Sequence, residues 1–172
     1  MTTLERTLRQ QLEKVIKEAR SVAEAAAKAS LTQLGVGDAL AAVHLTNEQK
    51  DLRRRLRIHG RQLGDERNPS TKTQEIPRLF EEIAYEHWHR MLFARFLAEN
   101  DLLMYPDPVN PVAISLEECE ELASDRGYAN QWEIAAEFAA QMLPQIFRLS
   151  SPVFDLQLPP RFRYKSQMLS FA

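Results

Sequence analysis

The chain has a single cysteine, and that scarcity removes several classes of protein at once. An internal disulfide is excluded. Cys119 also has neither a second cysteine nor a nearby histidine with which to build a zinc cluster or a Cys/His nucleophile, so a half-buried helix position suits it best. Long apolar runs are missing too. No stretch reaches the length needed to span a bilayer, and the opening MTTLERTLRQQLEKVIKEAR alternates charged with apolar residues where a secretory segment would carry a hydrophobic core. A cytoplasmic protein that makes no membrane contact is the expectation. Charge of one sign is likewise in short supply: a net charge of -2 over 172 residues gives no global pull toward nucleic acid or membrane, so any such attraction must come from a local patch. Alternation of the β type is nearly absent. Gly35-Val36-Gly37-Asp38 has two glycines but neither the third glycine nor the preceding strand that a dinucleotide or phosphate loop requires. No Ser/His/Asp arrangement with local support occurs either.

What is present is helical periodicity in a chain long enough to bury a core without disulfide or metal, and its length favours one domain over residues 1–172. Leu4, Leu8, Leu12, Val15, Ile16, Ala19, Val22, Ala23, Ala26 and Ala27 form an amphipathic stripe that ends near Gly35, so residues 1–45 read as an N-terminal helix and loop. Residues 46–172 read as the core helical region. There Thr46-Asn47-Glu48-Gln49 is a capping box that opens a helix from about Asn47 to Leu63, and Gly64 stands where it should stop. DERNPSTKTQE follows as a polar connector. From about Pro77 to Glu99 the segment PRLFEEIAYEHWHRMLFARFLAE has apolar residues on two faces, which predicts a long central helix with Phe80, Ile83, Tyr85, Trp88, Leu92 and Phe96 mostly buried. The three prolines of YPDPVNPV predict an extended surface crossover. Ser115 to Glu118 is a second capping box whose helix closes at Gly127, Asn130 with Glu133 starts another, and Pro144 should kink or end that one. Pro159-Pro160 could open a last short helix. The expected fold is therefore all-α, a five- to six-helix orthogonal bundle around a long, mostly buried central helix.

The strongest pointer to function in the residues themselves is the second helix. Lys50, Arg54, Arg57 and Arg61 fall at steps of four, three and four, with Arg53 beside them, while Leu52, Leu56, His59 and Leu63 form the opposing buried side. Such a stripe can follow a phosphate backbone, where the forked guanidinium fits phosphate oxygens and each neutralised phosphate releases counterions. The plainer reading is a solvated face paired to Asp51, Asp65, Glu66 or acids on other helices. A second basic cluster, Arg161, Arg163 and Lys165 interleaved with Phe162 and Tyr164, could extend the same surface or simply dock the tail. His87 and His89 are two apart and cannot form a helical metal pair; His87 reads as a core histidine. Glu82 and Glu86 share a face with Arg90, the spacing of an ion pair more than of an acid/base dyad. No catalytic or metal-binding residue is expected.

The run Asp51 to Asp65, then Glu82 to Leu103, resembles the N-terminal helical region of large adenine-specific DNA methyltransferases of bacterial restriction and phage-defence systems, including the BREX and DISARM types and related restriction-modification methylases. Trp88, Arg90, Ala94, Arg95, Phe96, Leu97 and Asn100 approximate the helical pattern that precedes the catalytic domain in that family, and Leu143-Pro144-Gln145-Ile146-Phe147 fits a further stretch of it. The similarity covers most of residues 47 to 165.

The resemblance implies a catalytic module with a glycine-rich S-adenosylmethionine loop and an Asn-Pro-Pro-Tyr/Phe turn for the flipped adenine, and this chain departs from both. Asn68-Pro69-Ser70-Thr71 and Asn110-Pro111-Val112-Ala113 break after the first proline, and Leu158-Pro159-Pro160-Arg161 has neither the asparagine nor the aromatic. The implied role is a non-catalytic domain, with no cofactor of its own, that supports a catalytic methyltransferase domain in the same or a partner chain and grips DNA backbone. The apolar ending Met168-Leu169-Ser170-Phe171-Ala172 leads us to expect the N-terminal part of a longer protein. From another class comes the alternative of a helical protein-interaction module of a defence complex without DNA contact.

Overall fold

The computed structural model describes residues 6–107, 109–128, 130–147 and 150–159. Among them the protein is mostly helical, with five helices and one two-stranded sheet: α1 (Arg6–Gln33), α2 (Asn47–Leu63), α3 (Pro77–Glu99), β1 (Met104–Tyr105), β2 (Val112–Ala113), α4 (Leu116–Arg126) and α5 (Gln131–Met142). They fall into two compact units: the described parts of Met1–Tyr85 with Pro152–Ala172, and the described part of Glu86–Ser151. The unit boundary lies inside α3. Leu4 and the helix expected from Pro160 onward lie outside the described residues.

In the first unit, α1 turns a face of small residues inward. Ala23, Ala26, Ala27 and Leu31 are buried, and the alanines let a neighbouring backbone come close. The buried Ser30 hydroxyl donates to the Gln157 carbonyl at 2.9 Å, and the closing segment adds buried Val153, Leu156 and Leu158. α1 stops because Gly35 adopts a left-handed φ of 64°, which allows the Gly35 N–H to reach the Thr32 carbonyl and the Val36 N–H the Leu31 carbonyl, both at 3.0 Å. α2 ends the same way at Gly64, with Gly64 and Asp65 N–H groups on the Arg61 and Gly60 carbonyls. Its start is the expected reciprocal box: the Thr46 hydroxyl accepts from the Gln49 N–H at 3.2 Å and the Gln49 amide oxygen accepts from the Thr46 N–H at 2.9 Å.

The connector after α2 is more ordered than a polar linker. Arg67 and Gln74 form an antiparallel bridge, the Asn68 side chain accepts from the Ser70 and Thr71 N–H groups, and Glu75 N–H donates to the Glu66 carbonyl at 2.9 Å. The connector also carries the start of α3. Pro77 has no N–H and Ile76 has no side-chain acceptor, so the first-turn donors are met from a distance: one carboxylate oxygen of buried Asp65 accepts from Arg78 N–H and the other from Leu79 N–H, each at 3.0 Å.

The second unit closes around α5. Ile134, Ala135, Ala136, Phe138 and Ala139 are fully buried with Cys119 and Ala123 of α4, Ala94 and Leu97 of α3, and Leu103 and Ile114 beside the sheet. Three of its helix caps follow the sequence: Ser115 with Glu118 opens α4, Gly127 closes it at φ 74°, and the Asn130 side chain accepts from Trp132 and Glu133 N–H groups to open α5. α5 ends at Met142, two residues before Pro144. Phe147 then returns to the core, its ring 5.9 Å from Phe93 and 5.4 Å from His89.

Two expectations are corrected here. The proline-rich segment is not an extended crossover but a hairpin, pairing Met104 with Ala113 and Tyr105 with Val112. Pro106 and Pro111 sit in the loop, where a missing donor is harmless, and the Asp107 carboxylate accepts from Val109 and Asn110 N–H groups, which lowers its pKa. The central helix is also less enclosed than predicted. Ile83 is buried and Phe80 and Trp88 are partly so, but Tyr85, Leu92 and Phe96 are 53%, 37% and 52% exposed. These three lie at steps of seven and four along one line of α3.

Because Asp65 is both buried and the acceptor for two otherwise orphaned donors, its replacement should destabilise more than an ordinary surface cap. Asp65→Ala is expected to lower unfolding stability by roughly 1–3 kcal/mol, read as a shift of the urea midpoint, whereas Glu66→Ala on the exposed neighbouring residue should leave the midpoint nearly unchanged.

Candidate functional site

The basic residues of α2 divide into two groups by burial, and the division does not follow the predicted stripe. Arg53 and Arg57, each 8% exposed, point into the first unit. Arg53 Nε donates to the Gly35 carbonyl at 2.8 Å and its terminal nitrogen to the Asp38 carbonyl at 2.6 Å. Arg57 donates to the Val36 carbonyl at 2.7 Å, to the Asp38 carbonyl, and to the Lys72 carbonyl at 2.9 Å. The two guanidiniums thus hold two stretches of backbone that belong to no helix or strand. Burial lowers the pKa of both; for Arg57 the neighbouring charges of Arg53, Arg67 and Arg61 act in the same direction and Asp38 opposes them.

This corrects the assignment of Arg53 and Arg57 as phosphate contacts, because their donors are already committed inside the fold. The inward arc of α2 is Arg53, Leu56, Arg57 and Gly60, rotated from the predicted Leu52, Leu56, His59 and Leu63. Gly60 explains the rotation. A Cβ there would meet the Gln74 amide nitrogen at 3.0 Å and the Asp65 carboxylate at 3.1 Å, so a hydrogen at this position lets the connector lie directly on the helix. Gln74 is itself locked: its side-chain nitrogen donates to the Arg57 carbonyl at 3.0 Å, its side-chain oxygen accepts from Arg61 at 3.0 Å, and its N–H donates to the Gly37 carbonyl at 2.9 Å.

The remaining cations face solvent. Lys50, Arg54 and Arg61 are exposed. Arg54 and Arg55 both pair with Asp51, and Arg55 also pairs with Asp155 in the closing segment. The Asp51 pKa falls through the hydrogen bonds from Arg54 and Arg55. Exposed Arg67 and Lys72 on the connector lie next to the Arg61–Gln74 contact, through the Arg67–Gln74 bridge and the Arg57–Lys72 bond. The sequence reading missed these two cations; Asn68-Pro69, a turn start between basic residues, was the available signal. Arg161, Arg163 and Lys165 lie outside the described residues.

Other candidates settle into structural positions. His87 is buried, and His59 Nε2 lies 3.9 Å from a Glu82 carboxylate oxygen. Within the second unit Arg90 is half-buried; desolvation depresses its pKa while Glu137, Glu133 and Glu86 act to raise it. Tyr128 donates to Glu137, which raises the tyrosine pKa, and Gln141 donates to the other Glu137 oxygen at 3.0 Å. Cys119 is fully buried, beyond the half-burial expected, and burial with nearby Glu118 pushes its thiol up to about 11. Among the described residues no group of three or more His, Cys, Asp or Glu side chains is placed to hold a metal, and no helix is long and apolar enough to cross a membrane. No family model, no curated protein and no solved structure matches this chain.

Two outcomes follow from the burial of these groups. Arg57→Met removes a donor from the buried Val36 carbonyl and from the part-buried Asp38 and Lys72 carbonyls and should lower stability by roughly 1–3 kcal/mol in denaturant melts, beyond the effect of Arg54→Met on the exposed pair. Cys119 is a thiol and not a thiolate at pH 8, so iodoacetamide should label it only after unfolding; rapid labelling of the native chain would contradict its position.

Proposed function

We propose that this chain is a non-catalytic helical domain of an adenine-specific DNA methyltransferase in a bacterial restriction-modification or phage-defence system, and that it supports the catalytic domain while touching DNA backbone through Lys50, Arg54 and Arg61. In that reading the helices make an orthogonal bundle and the protein works in the cytoplasm. The observation that carries it is the similarity over Asp51 to Asp65 and Glu82 to Leu103, together with where those residues sit. Ala94 and Leu97 are core residues of the second unit and Arg90 has the carboxylates of Glu137, Glu133 and Glu86 near it, so these matching positions serve packing, as a supporting domain requires, while Phe96 and Asn100 are exposed. The DNA contact is carried by exposed cations alone, and Arg53 and Arg57 have no part in it.

The second reading, an interaction module without DNA contact, gains from one observation: two of the five basic candidates Lys50, Arg53, Arg54, Arg57 and Arg61, namely Arg53 and Arg57, are engaged inside the fold. Electrophoretic shifts separate the two. Backbone contact by Lys50, Arg54 and Arg61 gives weak binding, indifferent to sequence and steeply weakened by salt, and Arg54→Glu with Arg61→Glu should flatten the log–log salt slope by about 2 without unfolding the chain. Absence of any shift at low salt favours the interaction module. Calorimetry tests the non-catalytic assignment: S-adenosylmethionine should show no tight binding, and micromolar binding with methyl transfer to adenine would overturn it.

A further inference from the structure

We propose that α2 and the connector after it form a binding site for a phosphoryl oxyanion, gripped by the guanidiniums of Arg61 and Arg67 with the flexible Lys72 ammonium in reach. The site lies beside the α2 stripe and shares only Arg61 with it, so it stands whether or not the stripe meets DNA. Gln74 is its scaffold. The Gln74 side-chain oxygen accepts from Arg61 at 3.0 Å, and Arg67 is the residue bridged to Gln74, which puts those two side chains on one face of the connector. From below, Arg57 receives the Gln74 side-chain nitrogen on its carbonyl at 3.0 Å and donates to the Lys72 carbonyl at 2.9 Å. Burial lowers the Arg57 pKa, and the charges of Arg53, Arg67 and Arg61 lower it further, so these guanidiniums stand close enough to repel one another.

The cluster has little counter-charge. Among the described residues no carboxylate lies within ion-pair distance of Arg61, Arg67 or Lys72, whereas Arg54 and Arg55 share Asp51. The connector's own acids are turned away: Glu75 N–H bonds the Glu66 carbonyl one step along from the Arg67–Gln74 bridge, and alternation sends the Glu66 and Glu75 side chains to the opposite face. Asp65 is occupied at the start of α3. Asp38 is the acid whose charge reaches Arg57, and its carboxylate lies against Gly35, with one oxygen 2.9 Å from where a Cβ would stand. Donors are left over as well, since Arg61 uses one terminal nitrogen on Gln74 and the Arg67 side chain makes no hydrogen bond among the described residues.

The donor set chooses the kind of anion. One guanidinium fork satisfies a planar carboxylate, but two forks on different elements suit a tetrahedral phosphoryl group, whose free oxygens point in different directions. An anion there also relieves the repulsion among the arginines. The grip is set before a ligand arrives, because Gln74 is fixed by bonds to Arg57, Arg61 and Gly37, and a preformed site binds with less ordering cost. Lys72 adds an independent sign: its φ is 63°, a left-handed conformation that glycine or asparagine holds at less cost, and a cation occupies it. A free phosphate and a nucleic-acid phosphate offer the same chemistry to these residues.

The test titrates the intact 172-residue chain at low ionic strength with inorganic pyrophosphate and, separately, with a DNA duplex that lacks terminal phosphates. Calorimetry gives the affinity, and the arginine Nε–H signals in NMR spectra report which guanidiniums meet the anion. Binding should shift the Arg61 and Arg67 signals, and Arg67→Gln with Lys72→Gln should weaken it by at least about tenfold. Both substituted side chains are exposed, so the melting temperature should not change. Lys17→Gln with Lys28→Gln removes the same charge from exposed positions of α1 and should leave the affinity nearly as it was. Binding of pyrophosphate alone identifies a free phosphate as the ligand, of the duplex alone a nucleic-acid backbone, and competition between them a site open to both. The inference is overturned if neither ligand binds, if binding leaves the Arg61 and Arg67 signals in place, or if the two double variants lose affinity equally. A duplex whose binding survives Arg67→Gln with Lys72→Gln but not Arg54→Glu overturns this site and leaves the proposed DNA contact standing.

Discussion

Two buried guanidiniums hold the first unit in its shape. Arg53 and Arg57 supply five hydrogen bonds to backbone carbonyls at four positions, Gly35, Val36, Asp38 and Lys72, and those carbonyls lie in segments with no helical or sheet ladder to satisfy them. Irregular backbone is normally kept at the surface because its polar groups need water. Here arginine takes the place of water. The choice of side chain matters: the guanidinium has five donors in a fixed fork and stays charged when desolvated, whereas a lysine has one compact ammonium that burial tends to neutralise. The cost of enclosing the two charges is met without a carboxylate bonded directly to either, only carbonyl dipoles and the longer-range pull of Asp38.

Once α2 is turned so that these arginines face inward, other features follow. The connector must lie against the helix where Arg57 and Arg61 reach Lys72 and Gln74, and Gly60 is the residue that lets it. The same close approach brings Asp65 under the first turn of α3, so that helix starts from a carboxylate in the preceding segment. The chain from Gly35 to Leu79 is thus one connected polar arrangement.

The sequence is legible wherever structure is decided within one turn. Thr46 with Gln49, Ser115 with Glu118, Asn130 with Glu133, and the glycines at 64 and 127 set helix ends through contacts at most a few residues apart, and each end falls where the pattern puts it. What spacing alone could not give was direction. Lys50, Arg54, Arg57 and Arg61 do share a face by arithmetic, but so do Arg53, Leu56, Arg57 and Gly60, and only the second arc contains a leucine beside a glycine in mid-helix. That glycine costs helix stability unless something approaches it, and it was the sign that this arc is the packed one. In α3 the count of apolar positions overestimated burial for a related reason. Apolar residues on two faces show that two faces can be covered, whereas Tyr85, Leu92 and Phe96 keep 53%, 37% and 52% of their surface exposed. The capping of α3 by Asp65 was invisible because donor and acceptor are twelve or more residues apart.

Turning basic residues inward also changes what charge can mean for function. A row of cations on a helix reads as an electrostatic surface only when the cations face solvent, and α2 holds cations of both kinds within single turns: Arg53 and Arg57 inside, Arg54 and Arg61 outside. The outside group is partly neutralised by Asp51, so the field it projects is weaker than the count of arginines suggests. The inside group acts on shape. Through the carbonyls of Gly35, Val36 and Asp38 it fixes the segment that leaves α1, so that basic residues whose spacing suggests phosphate contact act instead on the fold itself, and only the exposed cations of α2 project a field into solvent.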